Sequence, residues 1–236
     1  MARMRKSARL WRDPGAQALA DSALVFSGPL SVFSVEPDRL FERNAPLEIE
    51  IGAGKGDFIV ERAAAIPEHN FLAVELAASV LRILALRAAR SRLANLKVLR
   101  ADARTLVNLL LPDNSVSAYH IYFPDPWPKD RHAKHRLFSP FFVANAARTL
   151  ASDGIVYFAS DVRDYAERIR AMLEAGGFRA LSREAPGECR SNFGRKYAAA
   201  GRTVFAGSFM APAIERTPMR QVPESDETLL LKAALH

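Results

Sequence analysis

The sequence predicts an α/β domain on a mostly parallel, seven-stranded sheet with one antiparallel strand near its edge. Three observations predict it. Short apolar runs alternate with segments of helical periodicity, the first run leads straight into a glycine-rich turn, and the last two runs have no full helix between them. Strands joined without a crossover helix pair antiparallel, whereas every earlier pair is separated by enough chain for a parallel crossover.

Taken in order, Leu47, Ile49 and Ile51 give the two-residue period of a first strand, and residues 58–65 read as the helix behind it. Residues 71–75 make a second strand. A cover helix follows over 77–92, where Val80, Leu81, Leu84 and Leu93 recur at helical spacing among arginines. Residues 96–102 and 116–123 supply the third and fourth strands. Helical periodicity returns over 136–150, a fifth strand covers 154–159, and a helix over 165–175 closes at Gly176 and Gly177. The runs at 178–182 and 202–210 complete the sheet.

The turn after the first strand reads Glu50-Ile51-Gly52-Ala53-Gly54-Lys55-Gly56-Asp57. Glycines there let a ligand approach the backbone where the helix amides begin. A dinucleotide fingerprint would want its third glycine at position 57, which is Asp57. An acid at Glu50 would repel a pyrophosphate but pairs with an ammonium group, so a cationic ligand such as S-adenosyl-L-methionine fits better. Glu75, about twenty residues further on, stands where a carboxylate can accept from both ribose hydroxyls. With Asp102 and Asp125, four strand ends supply four acids. Ligands of open α/β sheets bind at that carboxyl edge.

The segment Tyr122-Phe123-Pro124-Asp125-Pro126-Trp127-Pro128-Lys129-Asp130-Arg131-His132 follows the fourth strand. Prolines on both sides stiffen the chain around Asp125 and hold its carboxylate in a fixed direction. The ring of Trp127 and the cations of Lys129, Arg131, Lys134 and Arg136 suit a base and its phosphates. His132 and His135 have no second Cys or His pair near them, and Cys189 is the sole cysteine, so a metal site is not expected.

Composition fits one soluble domain: 236 residues, 49% hydrophobic and 25% charged. No apolar run reaches membrane length, and the basic start lacks the apolar segment of a secretion signal, so a cytoplasmic protein is expected. The formal charge of +7 favours an anionic partner, with nucleic acid the natural candidate. Residues 1–30 carry Arg3, Arg5, Lys6, Arg9 and Arg12 and read as a basic arm, 31–211 as the domain, and 212–236 as a tail rich in proline and charge.

From about Leu47 to Phe209 these motifs resemble the bacterial type of tRNA (guanine-N7-)-methyltransferase, whose signature is the Pro-Asp-Pro-Trp loop followed by Lys, Arg-His and further basic residues. The resemblance implies a Rossmann-like class I methyltransferase fold, S-adenosyl-L-methionine as cofactor, and tRNA as substrate, methylated at N7 of a variable-loop guanine. It implies that Glu50, Glu75 and Asp102 bind the cofactor beside Gly52, Gly54 and Gly56. Asp125 would lie at both cofactor and target base, and Lys129 and Asp161 would contact substrate. The family's late substrate motif, Thr-x-Phe/Tyr-Glu, corresponds here to Ser191-Asn192-Phe193-Gly194. Gly194 removes a carboxylate able to accept from a guanine edge. Two other readings stay open: the same enzyme class acting on another RNA or a small molecule, and a non-catalytic RNA-binding protein. A monomer or homodimer with no obligatory protein partner is expected.

Overall fold

The computed structural model describes residues 24–26, 35, 37–127, 131, 135–183, 185–186 and 192–213. Among them, eight strands form one sheet: β1 (Leu24–Phe26), β2 (Leu47–Ile51), β3 (Asn70–Val74), β4 (Leu96–Leu99), β5 (Val116–Tyr122), β6 (Leu150–Ser160), β7 (Arg179–Ala180) and β8 (Phe205–Met210). Their order is β1-β4-β3-β2-β5-β6-β8-β7. All neighbours are parallel except β8, which runs antiparallel to both β6 and β7. The reversed strand thus sits one in from the edge, as expected. The eighth strand is β1, three residues from within the stretch read as an arm, paired in parallel with β4.

Helices are α1 (Pro37–Leu40), α2 (Asp57–Ala65), α3 (Ala78–Ser91), α4 (Ala103–Thr105), α5 (Pro140–Thr149), α6 (Arg163–Ala175) and α7 (Asn192–Ala199). A π-helical turn, Leu106–Leu110, continues α4. Local chemistry sets several boundaries. Ser139 caps α5 by accepting from the Phe142 N–H at 3.1 Å, with Pro140 preset at the first helical position. The expected helix over 136–150 therefore begins four residues late. The last two strands of the chain are indeed antiparallel, but α7 lies between them, correcting the expectation of a connection without a full helix.

Two buried clusters sandwich the sheet. Leu106, Val107, Phe142, Val143, Ile169 and Leu173 pack on one face, and Phe58, Ile59, Leu81, Leu84 and Ala85 on the other. Every residue of β2 and β3 is buried. The strand order reverses between β2 and β5, and such a switch point opens a crevice outside the carboxyl ends of the strands. The glycine turn follows β2 and the proline loop follows β5, so topology alone brings the two strongest motifs together.

Candidate active site

At that crevice lies a cleft of about 630 Å³ lined by Glu50, Gly52, Gly54, Glu75, Asp102 and Asp125, among others. Six of the seven residues expected to hold a cofactor thus share one cavity. Gly56 is not in its lining. A Cβ on Gly56 would stand 2.3 Å from the Leu84 side chain, and its φ is 76°, so this glycine serves the packing of α2 against α3.

The turn is fixed by its own backbone: the Gly52 and Ala53 amides donate to the Val74 carbonyl at 2.9 and 3.0 Å. Glu75 holds the turn from the neighbouring strand, accepting from the Gly54 N–H at 3.0 Å and the Ala77 N–H at 2.8 Å. Asp57, also in the lining, receives Arg87 at 2.8 Å and Arg195 at 3.2 Å. Spacing along the chain could not have announced the Arg195 contact, which comes from α7.

Glu50 is the unusual group. Its carboxyl is buried and accepts from the Ile59 backbone, yet Oε2 has no hydrogen-bond partner. Burial first, and the nearby Asp57 and Glu75 charges second, push its pKa well above the ordinary carboxylate value. An unpartnered buried acceptor at the mouth of a glycine turn fits a cationic ligand, whose ammonium would return the charge to Glu50. Asp102 behaves oppositely. Burial raises its pKa, but the Arg104 side chain and the Thr105 and Arg104 amides, which donate at 3.2 and 2.9 Å, outweigh it and hold the group below its usual value. It is the cap of α4 rather than the last residue of a strand, since β4 ends at Leu99.

Asp125 is exposed at the opposite lip. Its loop is bracketed by two non-glycine residues in the left-handed region, Phe123 at φ 54° and Trp127 at φ 41°. Such conformations cost of order 1–3 kcal/mol each and persist only where surroundings hold them. Phe123 N–H donates to the Ala159 carbonyl at 2.7 Å. The Arg136 guanidinium donates to the Pro126 carbonyl at 3.1 Å and to Trp127 at 2.8 Å. Arg136, read from sequence as a phosphate contact, thereby holds the loop through Nε and Nη2. Trp127, 37% exposed, contacts the His135 ring at 5.2 Å.

The residues expected to meet substrate are only partly brought together. Lys129 and Ser191 lie outside the described residues, as does Lys134. Asn192 and Phe193 open α7, and Gly194 is buried in its first turn. Asp161 does not line the cleft; it pairs with Arg202 at 3.5 Å and hydrogen-bonds to the Tyr197 phenol. Tyr197 in turn packs on Phe123 at 5.2 Å between ring centres. Asp161 therefore anchors α7 against the proline loop. Among the described residues no cluster of His, Cys, Asp or Glu suits a metal ion, and no helix is long and apolar enough to cross a membrane.

A doubly wound sheet with acids at the ends of its central strands, around a glycine turn and a rigid carboxylate loop, defines a methyltransferase-type site. The chain belongs to the family described as "Putative methyltransferase", whose model matches residues 44–206. Among relatives, it is 38% identical to a tRNA (guanine-N(7)-)-methyltransferase of Nitrosococcus oceani, over 67% of this chain and 65% of that one. It is 37% identical to one of Psychromonas ingrahamii, over 60% and 58%. The match thus spans about three-fifths of the length of these curated relatives. In fold the chain is similar to an antibiotic-related methyltransferase, with a TM-score of 0.56 and 16% identity over 76% of this chain and 96% of that one. A 16S rRNA methyltransferase, KamB, gives 0.55 and 18% over 77% and 95%.

If the cleft holds S-adenosyl-L-methionine, Glu75→Ala removes ribose acceptors and loosens the Gly54 and Ala77 amides together. Calorimetry with S-adenosylhomocysteine is expected to show affinity weakened by about tenfold, each net hydrogen bond contributing about 1 kcal/mol.

Proposed function

We propose that this protein transfers a methyl group from S-adenosyl-L-methionine to N7 of a guanine in tRNA, at position 46 in the variable loop. The observation that carries this reading is the pairing, across one cleft, of a buried unpartnered Glu50 with the strained Pro124-Asp125-Pro126 loop. Family membership and the names of the relatives support the acceptor.

The cofactor supplies an electrophilic methyl on a sulfonium. Guanine N7 carries a lone pair and no proton, so the chain needs no strong base and its task is alignment. Glu50 holds the cofactor's ammonium, Glu75 its ribose, and Asp102 its base end. Asp125, projecting from a loop that Arg136 and two prolines keep rigid, accepts hydrogen bonds from the guanine edge and so orients N7 toward the cleft. Gly194 offers no carboxylate for that edge, which puts the more weight on Asp125. The formal charge of +7 suits a polyanionic partner.

Matched tRNA transcripts test the assignment, one with guanine and one with adenine at the target position. Methyl incorporation is expected on the first alone. Equal labelling of both would place the target elsewhere in the molecule.

A further inference from the structure

The lining of the cleft provides amply for a cationic end of a ligand and hardly at all for an anionic one. Among the described residues it holds five carboxyls, Glu50, Asp57, Glu75, Asp102 and Asp125, against three side chains able to carry positive charge, Lys55, Arg104 and His135. Arg104 is paired with Asp102 at 3.3 Å, and His135 packs on the Trp127 ring beside the proline loop. Two further arginines near the glycine turn, Arg87 and Arg195, are held by Asp57. Lys55 is the cation that remains.

A ligand whose ammonium returns the charge to Glu50, as the amino-acid end of S-adenosyl-L-methionine would, carries a carboxylate on the same carbon as that ammonium. The anion is thus delivered into the most acidic part of the cleft. Backbone amides are the usual anion cradle at a turn of this kind, and here they are occupied. Gly52 and Ala53 donate to the Val74 carbonyl at 2.9 and 3.0 Å, Gly54 to Glu75 at 3.0 Å, and Gly56 to the Ala53 carbonyl at 2.8 Å. In the first turn of α2, the Ile59 amide is taken by Glu50 itself. With those donors committed inside the protein, the carboxylate calls for a cation from a side chain.

Lys55 stands between Gly54 and Gly56, exposed on the bend, and forms no ion pair with any described residue. Its backbone is fastened. Arg87 donates from Nη1 to the Lys55 carbonyl and to Asp57 Oδ1, each at 2.8 Å, and so pins the bend beside an acid whose charge reaches Glu50. From that fixed root a flexible four-carbon stem carries the ammonium, free to turn toward a ligand at the mouth of the cleft. We propose that Lys55 is a specificity-determining residue for the carboxylate end of the cofactor, forming with Glu50 a pair of opposite charges that reads a zwitterionic amino acid. The proposal rests on the reading of the cleft as a cofactor site and deepens it: Glu50 alone admits any amine, and Lys55 favours one that bears a carboxylate beside it.

Calorimetry with two ligands separates the two ends. S-adenosylhomocysteine carries both charges, whereas S-adenosyl-3-thiopropylamine has the same nucleoside, thioether and ammonium and lacks the carboxylate. Lys55→Met keeps a long unbranched side chain and removes the charge, and its unfolding midpoint should match that of the parent. The parent is expected to prefer S-adenosylhomocysteine by about tenfold, the size of one charge-assisted hydrogen bond at a partly exposed site, and Lys55→Met to lose that preference. The loss should fall on S-adenosylhomocysteine alone, with affinity for the amine within about twofold of the parent, less than one net hydrogen bond. Parental affinity of Lys55→Met for S-adenosylhomocysteine would overturn the assignment and place the carboxylate on the backbone. An equal loss for both ligands would overturn it as well, since Lys55 would then serve the turn and not the carboxylate. A parent that bound neither ligand would bring down the cofactor reading and the role of Lys55 with it, a result distinct from the other two.

Discussion

Replacing Asp125 by alanine is expected to reduce methyl transfer to tRNA by about a hundredfold or more while leaving the unfolding midpoint within experimental scatter. The magnitude follows from alignment. A group that orients the nucleophile contributes through near-attack geometry, and a misplacement of about 1 Å costs on the order of a hundredfold. The fold should not notice, because Asp125 is exposed and the conformation of its loop is held by Arg136 and Ala159 through backbone groups. Single-turnover kinetics with thermal unfolding on the same sample separates the two. Transfer at the parental rate would remove Asp125 from the mechanism, and a large drop in midpoint would recast it as structural.

Glu48→Ala should have the largest effect on stability, lowering it by about 3–5 kcal/mol, the usual cost of stripping one partner from a buried ionic cluster. Arg62, His69 and His120 all address this carboxylate, so its loss strands three donors. For a domain of this size the midpoint should fall by on the order of 10 °C. The pH dependence has a definite sign. Burial raises the Glu48 pKa, but His120 and Arg62 outweigh it and hold the carboxyl far below its ordinary range. Its contribution is therefore full above the unfolded value of about 4.3 and is lost as pH falls below it. His120, whose pKa burial depresses, adds an acid loss that starts below about 6.5, because the unfolded chain accepts a proton that the folded one resists. Glu50 works the other way, since its raised pKa means the folded state gains as acid neutralises it. Denaturant titrations of parent and Glu48→Ala should show a gap that is constant near neutrality and narrows below about pH 4. A gap that widened in acid would contradict the assignment of Glu48 as the ionised member.

Why this cluster escaped sequence reading is instructive about what periodicity measures. Leu47-Glu48-Ile49-Glu50-Ile51 alternates like a strand with one wet face. The strand is real, but β2 is central and buried on both faces, and Glu48 is partnered by residues far along the chain, His120 being 72 positions away. No local pattern encodes that. By contrast, the acids that line the cleft were legible because each follows an apolar run, and sheet topology carries the ends of successive strands to one edge. Asp102 is legible as a cleft acid but belongs to another element than the strand: it caps a short helix three residues past β4. The helix α7 is not legible in the sequence because eight residues containing Gly194 give too short a helical period, while its position depends on distant contacts of Tyr197 with Phe123 and of Arg195 with Asp57. Strand β1, three residues long, offers no period at all.

The chemistry proposed for the cleft stands or falls on its product. Incubation of the protein with methyl-labelled S-adenosyl-L-methionine and total tRNA, followed by digestion and nucleoside analysis, is expected to place the label in 7-methylguanosine. Label in any other nucleoside, or none in tRNA while the protein binds the cofactor, would contradict it.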